Sequence, residues 1–332
     1  MLKKTQILKT LTLIILIKVI YVINSPAISS QSNPEFCGKF SGLFAGKKSI
    51  GRPESIAVIV PNSNKWYKRI IRALYIGGGI NKDLKKYQKA KVVVNYKKEI
   101  SCKYNAKIRI HGGGKDHLNY KLLTSSIRVK LLDGSINNIY NFALIYKNAR
   151  NFDEEIFSST LFKNLGFLTP LYFKVRTTIN TSPAEEYLFV EMPTMEMAKN
   201  QNRNNGLFIA GNNNNFAENK TDFKYRRSLV LSRLKEAKGI SNNNKEVILN
   251  ALSKMNFVYL NSLGIGNGKN CCDSSNKIDL TKKMYVNGNI YLNFQNNNKV
   301  SQFNLIMSAL NAFHGMALED RIFFYDPTFD EF

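Results

Sequence analysis

The chain has 332 residues and a mass of 37.8 kDa, enough for one large domain or two modest ones. Hydrophobic residues make up 44% of it and charged residues 22%, a composition that excludes a wholly disordered or collagen-like protein. The 48 lysines and arginines outnumber the 24 aspartates and glutamates, which gives a net charge of +24. This excess favours anionic partners such as phosphorylated ligands, nucleic acid, acidic polymers or anionic lipid, although a general bias toward Lys, Asn and Ile would produce it too.

The first residues have the pattern of an export signal. Lysines precede an apolar stretch at 11–17, and Lys18 interrupts the apolar run before it reaches the roughly 20 residues needed to cross a bilayer. The pattern favours a cleaved signal peptide over a permanent anchor within residues 1–27, followed by a linker at 28–54. We therefore expect a secreted or cell-envelope protein that meets a membrane only through this segment.

Export would permit disulfide bonds among the four cysteines. Cys271 and Cys272 are adjacent and cannot easily bond to each other, whereas Cys37 and Cys102 could meet across a sheet. Buried cysteines without a bridge are equally compatible with the sequence. No spacing of cysteines and histidines resembles a zinc site.

Short apolar and alternating runs predict a β-rich region over residues 55–193. The first strand is predicted at 55–60, and apolar residues at helical spacing predict a helix over 64–76. Asp133-Gly134 is a strong signal for a tight hairpin turn. The remaining predicted elements are strands at 91–96, 106–110, 126–132, 142–146, 171–179 and 186–192, and a helix at 152–165.

Residues 194–332 differ in composition and pattern, because asparagine-rich stretches separate segments whose apolar residues have helical spacing. Helices are predicted at 224–237, 245–263 and 303–314, and a short strand at 321–325. The pattern predicts a second, mostly helical lobe.

Two groups of residues could hold a phosphorylated ligand and its metal ion. Gly112, Gly113 and Gly114 lie between predicted strands, where backbone N–H groups can approach an anion. The next strand places Arg128 and Lys130 on one face, because alternate side chains of a strand point the same way. A solvated basic strand face is the alternative to a polyphosphate site.

Near the other end of the chain, Asp320 and Asp326 flank a short apolar strand. Carboxylates in this position suit Mg²⁺, which takes oxygen ligands and is usually shared with substrate phosphates. Asp330 is a further candidate ligand. His314 is interpreted as a structural hydrogen-bonding residue rather than a catalytic base.

The order of these motifs resembles the CotH family of atypical, kinase-like proteins. The resemblance covers roughly residues 107–330, about two thirds of the chain. The segments that carry it are IRIHGGG at 108–114, SIRVKL at 126–131, LFKNLG at 161–166, Ile179-Asn180, YLFVE at 187–191, His314-Gly315 and DRIFFYDP at 320–327.

The resemblance implies an α+β, two-lobed, kinase-like fold with a β-rich N-terminal lobe and a mostly helical C-terminal lobe. It implies an enzyme that uses ATP and Mg²⁺ to phosphorylate Ser or Thr of a secreted, envelope or coat protein. In the family's pattern, Lys130 with Arg128 neutralises the nucleotide phosphates, and the glycine loop lies beside them. Asp320 and Asp326 bind the metal ion at the catalytic centre, and Glu191 closes a strand pair near the hinge between the lobes.

The sequence departs from the family's pattern at several positions, and these departures favour a catalytically inactive protein as the alternative to a kinase. Asp320 stands where the family usually has asparagine, and the chain ends six residues after Asp326, which indicates a truncated fragment or an inactive pseudokinase. Such a protein would serve as a scaffold in a surface or coat assembly. Nucleic acid is the least favoured partner, since basic motifs interleaved with aromatic residues are missing. The kinase prediction requires the basic strand and the acidic pair to face one cleft.

Overall fold

The computed structural model of the protein describes residues 37, 51–97, 100–203, 206–212, 231–236, 245–262, 297–310, 312, 321–330 and 332. They belong to two compact units, Met1–Met192 and Pro193–Phe332. Within the described ranges, no helix is both long and apolar enough to cross a membrane. The predicted signal segment at 1–27 and nearly all of the linker at 28–54 lie outside the described residues.

Seven strands of the first unit close into a barrel, in the order β1-β2-β3-β6-β7-β9-β8. Neighbouring strands are antiparallel except β1 and β8, whose parallel pairing closes the sheet. The short strands β4 and β5 form a separate hairpin. The strands are β1 (Ser55–Ile59), β2 (Gln88–Asn95), β3 (Ser101–Ile110), β4 (Leu118–Asn119), β5 (Thr124–Ser125), β6 (Ile127–Leu131), β7 (Asn141–Tyr146), β8 (Tyr172–Ile179) and β9 (Glu185–Glu191).

Alternation along the strands decides which side chains enter the barrel. In β3, Ala106 and Ile108 are buried, whereas Lys107 between them is exposed. Inside the barrel, the Phe189 ring stacks on Phe142 at 4.6 Å and on Phe173 at 4.4 Å between ring centroids. The barrel interior is therefore a packed apolar core.

Two helices pack against the barrel. Helix α1 (Ser63–Tyr75) begins after Asn62, whose side-chain oxygen accepts a hydrogen bond from Lys65 N, and it buries Trp66 in the barrel core. Helix α2 (Phe152–Asn164) contributes Phe152 to a second cluster with outward-facing residues of β7 and β9. The outer face of β2, β3 and β6 instead carries exposed lysines.

The strand directions define two ends of the barrel. At the upper end, β3 finishes at Ile110 and β6 begins at Ile127. At the lower end, β7 begins at Asn141 and β9 finishes at Glu191. The three glycines that follow β3 therefore belong to the upper end.

In the second unit, three strands form an antiparallel sheet in the order β11-β10-β12. Leu207 and Tyr325 of this sheet share a core with Ala251 and Met255 of helix α4. The elements are α3 (Met195–Asn200), β10 (Leu207–Asn212), β11 (Leu231–Glu236), α4 (Lys245–Ser262), α5 (Asn297–Ala309) and β12 (Ile322–Tyr325).

The predicted two-lobed, kinase-like fold with a mostly helical C-terminal lobe is wrong. The first unit is a closed barrel, and the described part of the second unit is built around a sheet. The predicted helix at 224–237 is wrong at 231–236, which pair with β10 as a strand. The spacing of apolar residues within one segment does not identify the strand with which that segment pairs. In the first unit, for example, the barrel closes through pairing of β1 with β8, which lies more than a hundred residues further along the chain.

The other elements predicted for the first unit are confirmed to within a few residues. The Asp133-Gly134 turn is an exception. Residues 132–140 separate β6 from β7, so the connection is longer than a two-residue hairpin turn. The Asp133 carboxylate instead accepts hydrogen bonds from the backbone N and the side-chain Nδ2 of Asn105, at 2.8 and 2.6 Å.

Candidate anion-binding site

Basic side chains cover the outer surface of three adjacent strands. Lys107 of β3 lies opposite Lys89 of β2 on one side and opposite Lys130 of β6 on the other. Two residues further along, Arg109 lies opposite Arg128. We call this surface the cationic face; its members are Tyr87, Lys89, Lys107, Arg109, Arg128 and Lys130.

The lysines of the cationic face lack local neutralisation. Among the described residues, none of the ion pairs with a carboxylate includes Lys89, Lys107 or Lys130. Like charges directly opposite each other in a sheet are unfavourable, by up to about 1 kcal/mol for a pair. A bound anion would remove this repulsion.

The arginines of the same face are held in place. Arg128 Nε donates a hydrogen bond to Asn141 Oδ1 at 3.2 Å. The Arg109 guanidinium lies 5.5 Å from the centroid of the Tyr87 ring, and its Nη1 donates to the Ile110 carbonyl oxygen at 3.2 Å. Both head groups are therefore positioned before a ligand arrives.

At its upper edge, the cationic face meets two histidines. The rings of His111 and His117 are 5.7 Å apart, edge to face. The pKa of His111 is lowered to about 3, first by burial and then by His117, Arg109, Arg128 and Lys85. Burial and the Arg109 charge also lower the pKa of Lys85. Among the described residues, the charges that shift the pKa of His111 belong to basic side chains, which suits a phosphate or carboxylate ligand.

His117 anchors the loop that carries the glycines. Ser126 Oγ accepts a hydrogen bond from Tyr146 N at 2.9 Å and lies 2.9 Å from His117 Nδ1. This contact orients the His117 ring. Burial lowers the pKa of His117, which favours the neutral ring.

The three predicted phosphate-binding glycines have different surroundings. Gly112 has φ +88°, and a Cβ there would lie 2.0 Å from His117 Cδ2. At Gly113, no heavy atom of the described residues would lie within 4 Å of an added Cβ, and the carbonyl oxygen accepts a hydrogen bond from Ile80 N at 2.7 Å. A Cβ on Gly114 would meet the Asp116 carboxylate at 2.2 Å. Gly112 is thus required by packing, and Gly113 leaves space for a ligand.

Gly112→Ala is expected to lower the free energy of unfolding by roughly 2 kcal/mol, because it combines a disfavoured backbone angle with a clash against the His117 ring. Urea denaturation measures the change. Gly113→Ala is the matched control and should shift stability by no more than about 0.5 kcal/mol. Equal effects of the two substitutions would contradict the packing role of Gly112.

Glu191 lies at the lower end of the barrel, opposite the end that carries the glycine loop. Its side chain is buried, and its Oε2 accepts a hydrogen bond from Leu171 N at 3.0 Å. Burial raises the pKa of Glu191 to about 7, although the Leu171 hydrogen bond and the Lys163 charge oppose the shift. The structure therefore does not bring Glu191 together with Gly112–Gly114.

The predicted metal ligands belong to the second unit. Asp326 is half-buried, and its Oδ1 accepts a hydrogen bond from Thr328 N at 2.9 Å. Asp330 binds Lys254, Tyr325 and Asn250. Asp320 and His314 lie outside the described residues.

Among the residues that the structure does describe, no group of three or more His, Cys, Asp or Glu could hold a metal ion. By itself this part of the chain does not supply a complete Mg²⁺ site. The cleft that would join Asp326 to Arg128 and Lys130 stays a prediction.

Several members of the site were missed in the sequence. Lys107 and Arg109 show the same alternation that singled out Arg128 and Lys130. The register between β3 and β6 places the two basic pairs side by side. Lys85 and His111 are linked to them electrostatically, since the charges of Arg109, Arg128 and Lys85 all lower the pKa of His111, and no local spacing in the sequence indicates this.

No protein-family model matches the chain, and a search of curated proteins finds no match either. The resemblance to the CotH family therefore rests on the order of the motifs quoted above.

Proposed function

We propose that the upper edge of the cationic face binds the phosphate groups of ATP and that the chain is a CotH-like phosphotransferase. Its acceptors would be Ser or Thr hydroxyls of secreted, envelope or coat proteins. The observation that carries the proposal is the register that places Arg109 opposite Arg128 at the upper edge of the face, where a hydrogen bond holds each guanidinium group. A phosphate group placed there would meet guanidinium donors that are already oriented.

Phosphoryl transfer depends on stabilisation of charge by the protein more than on a covalent bond to the protein. The acceptor oxygen forms a bond to the γ-phosphorus while the bond to the β,γ-bridging oxygen breaks, and ADP and the hydroxyl proton leave. Mg²⁺ bound with the nucleotide would neutralise part of the phosphate charge. Arg109 and Arg128 would stabilise the charge on the phosphate oxygens, and Gly113 leaves room for the ligand to approach the backbone.

A disulfide supports the expected compartment. Cys37 and Cys102 are joined, with their Cα atoms 5.4 Å apart, and they are one of the pairs that the sequence allows. Disulfides persist in oxidising environments and are rare in the cytosol. The bond fits secretion or placement in the cell envelope.

A binding protein without catalytic activity is the second candidate. Two carboxylates of the kinase-like pattern have local structural roles, since Glu191 binds the Leu171 backbone and Asp326 binds its own turn. Such a protein could bind a nucleotide or another anion at the cationic face and act as a scaffold.

Arg109→Ala/Arg128→Ala is expected to weaken binding of MgATP by roughly 10- to 100-fold, because each lost charged hydrogen bond is worth about 1.5–3 kcal/mol and losses at neighbouring groups do not add fully. Isothermal titration calorimetry measures the affinity. Lys65→Ala/Lys68→Ala, two exposed positions on α1, removes the same charge and should change affinity by no more than about twofold.

Transfer of labelled γ-phosphate to casein separates the two candidates. Labelling by the parent that the arginine variant loses supports the phosphotransferase. Nucleotide binding without labelling supports the scaffold. Unchanged MgATP affinity in the arginine variant would remove the site from both proposals.

A further inference from the structure

The lysine row of the cationic face, Lys89, Lys107 and Lys130, lies below the arginine pair assigned to phosphate binding. The three lysines occupy directly opposed positions on adjacent strands, and all three are exposed. The row is independent of the histidine edge, because it lies two residues further from the upper end of β3.

The backbone ladder fixes the spacing of these charges. Neighbouring strands lie about 4.8 Å apart, so the row extends over roughly 10 Å. The arginine pair follows two residues along the strands, roughly 7 Å away. Five cationic groups therefore form a regular grid on a surface held by hydrogen bonds between strands.

A regular grid suits a linear polymer that carries an anionic group on each repeating unit. A single phosphate group would engage one corner of it and leave the remaining lysines without a partner. We propose that the cationic face binds an acidic polysaccharide that carries carboxylate or sulfate groups.

The aromatic content of the face disfavours a nucleic acid. Proteins that bind single strands stack successive bases on aromatic rings. Tyr87 is the aromatic member of the cationic face, and the Arg109 guanidinium already lies over its ring at 5.5 Å. The Cys37–Cys102 disulfide also fits an oxidising compartment outside the cytosol.

The test compares two triple variants of the full chain that remove equal charge. The row variant removes the three charges of the lysine row and is Lys89→Gln/Lys107→Gln/Lys130→Gln. The α1 variant removes three exposed charges from α1 and is Lys65→Gln/Lys68→Gln/Arg72→Gln. The probes are heparin as a sulfated chain, polygalacturonate as a carboxylated chain, and a single-stranded DNA of matched charge. Fluorescence titration at several salt concentrations measures affinity and its salt dependence.

We expect the row variant to lose at least tenfold in affinity for heparin or polygalacturonate. The slope of log affinity against log salt should fall by about two to three, since fewer counterions are released. The α1 variant should change affinity by about twofold. Thermal unfolding should show the row variant at least as stable as the parent, because the substitutions relieve repulsion between opposed lysines.

Equal losses in the two variants would overturn the proposal, since net charge alone would then explain binding. Tighter, lysine-dependent binding of the DNA probe would assign the face to nucleic acid instead. Parent protein that binds neither polysaccharide would also refute it. The single variant Lys107→Gln should lose affinity in the same direction by a smaller factor, and it provides a second reading should the triple variant be poorly folded.

Discussion

Loss of the Cys37–Cys102 bond is expected to lower the free energy of unfolding by about 4 kcal/mol. The bond joins residues separated by 65 positions, and closing a loop of that length in the unfolded chain carries a large entropy cost in the chain-entropy model. Cys37→Ala, made in a chain that also carries Cys271→Ser and Cys272→Ser, removes the bond. Urea denaturation of this variant and of its Cys37-containing parent measures the difference.

The design keeps the barrel core intact. Cys102 is fully buried in that core, so its replacement would add a packing change to the loss of the bond. Treatment with a reductant should destabilise the parent to the level of the Cys37→Ala variant and leave the variant unchanged. Coincident denaturation curves of parent and variant without reductant would show that the bond contributes nothing in solution.

The strands of the first unit could be predicted because their apolar residues alternate or run continuously. Ile108 and Ile110 point inward, and the basic residues between and beside them point outward. Barrel closure could not be predicted in the same way. Ser55 pairs with Arg176 although the two residues lie far apart in the sequence. The periodicity of one segment carries no information about which distant segment becomes its neighbour.

The second unit shows tertiary context overriding local preference. Helical spacing favoured a helix at 224–237, yet residues 231–236 pair with β10, a strand that the sequence analysis missed. Hydrogen bonding to a neighbouring strand can outweigh propensities that differ by less than about 1 kcal/mol per residue. The predicted kinase-like fold is therefore wrong for two reasons: the first unit is a closed barrel, and the second unit contains a sheet in place of a predicted helix.

The candidate site was partly visible in the sequence. Alternation placed Arg128 and Lys130 on one surface, and the structure adds Lys107 and Arg109 beside them through the register of β3 and β6. The role of Gly112 could not be inferred, because the His117 ring that requires it lies five residues away, at the end of the short 3-10 helix Lys115–His117. A glycine run alone does not distinguish a ligand cradle from close packing.

Glu191→Gln is expected to stabilise the protein at pH 8 and to flatten its pH dependence. Burial raises the pKa of Glu191 from its ordinary value of 4.5 to about 7. Between these values the folded chain holds a proton that the unfolded chain has lost, so stability falls as the pH rises through this window. One pKa unit corresponds to 1.36 kcal/mol, so the buried Glu191 carboxylate lowers the free energy of unfolding by at most roughly 3 kcal/mol above pH 7. Glutamine keeps an acceptor for Leu171 N without the charge.

The free energy of unfolding at pH 5 and at pH 8 distinguishes this effect from general repacking. The variant should gain relative to the parent mainly at pH 8, because near pH 5 most parent molecules keep Glu191 protonated. Glu186→Gln, an exposed position on the same strand, should leave the difference between the two pH values unchanged. An equal gain for Glu191→Gln at both pH values would mean that ionisation of this carboxyl group does not destabilise the fold, and the raised pKa assigned to Glu191 would then be wrong.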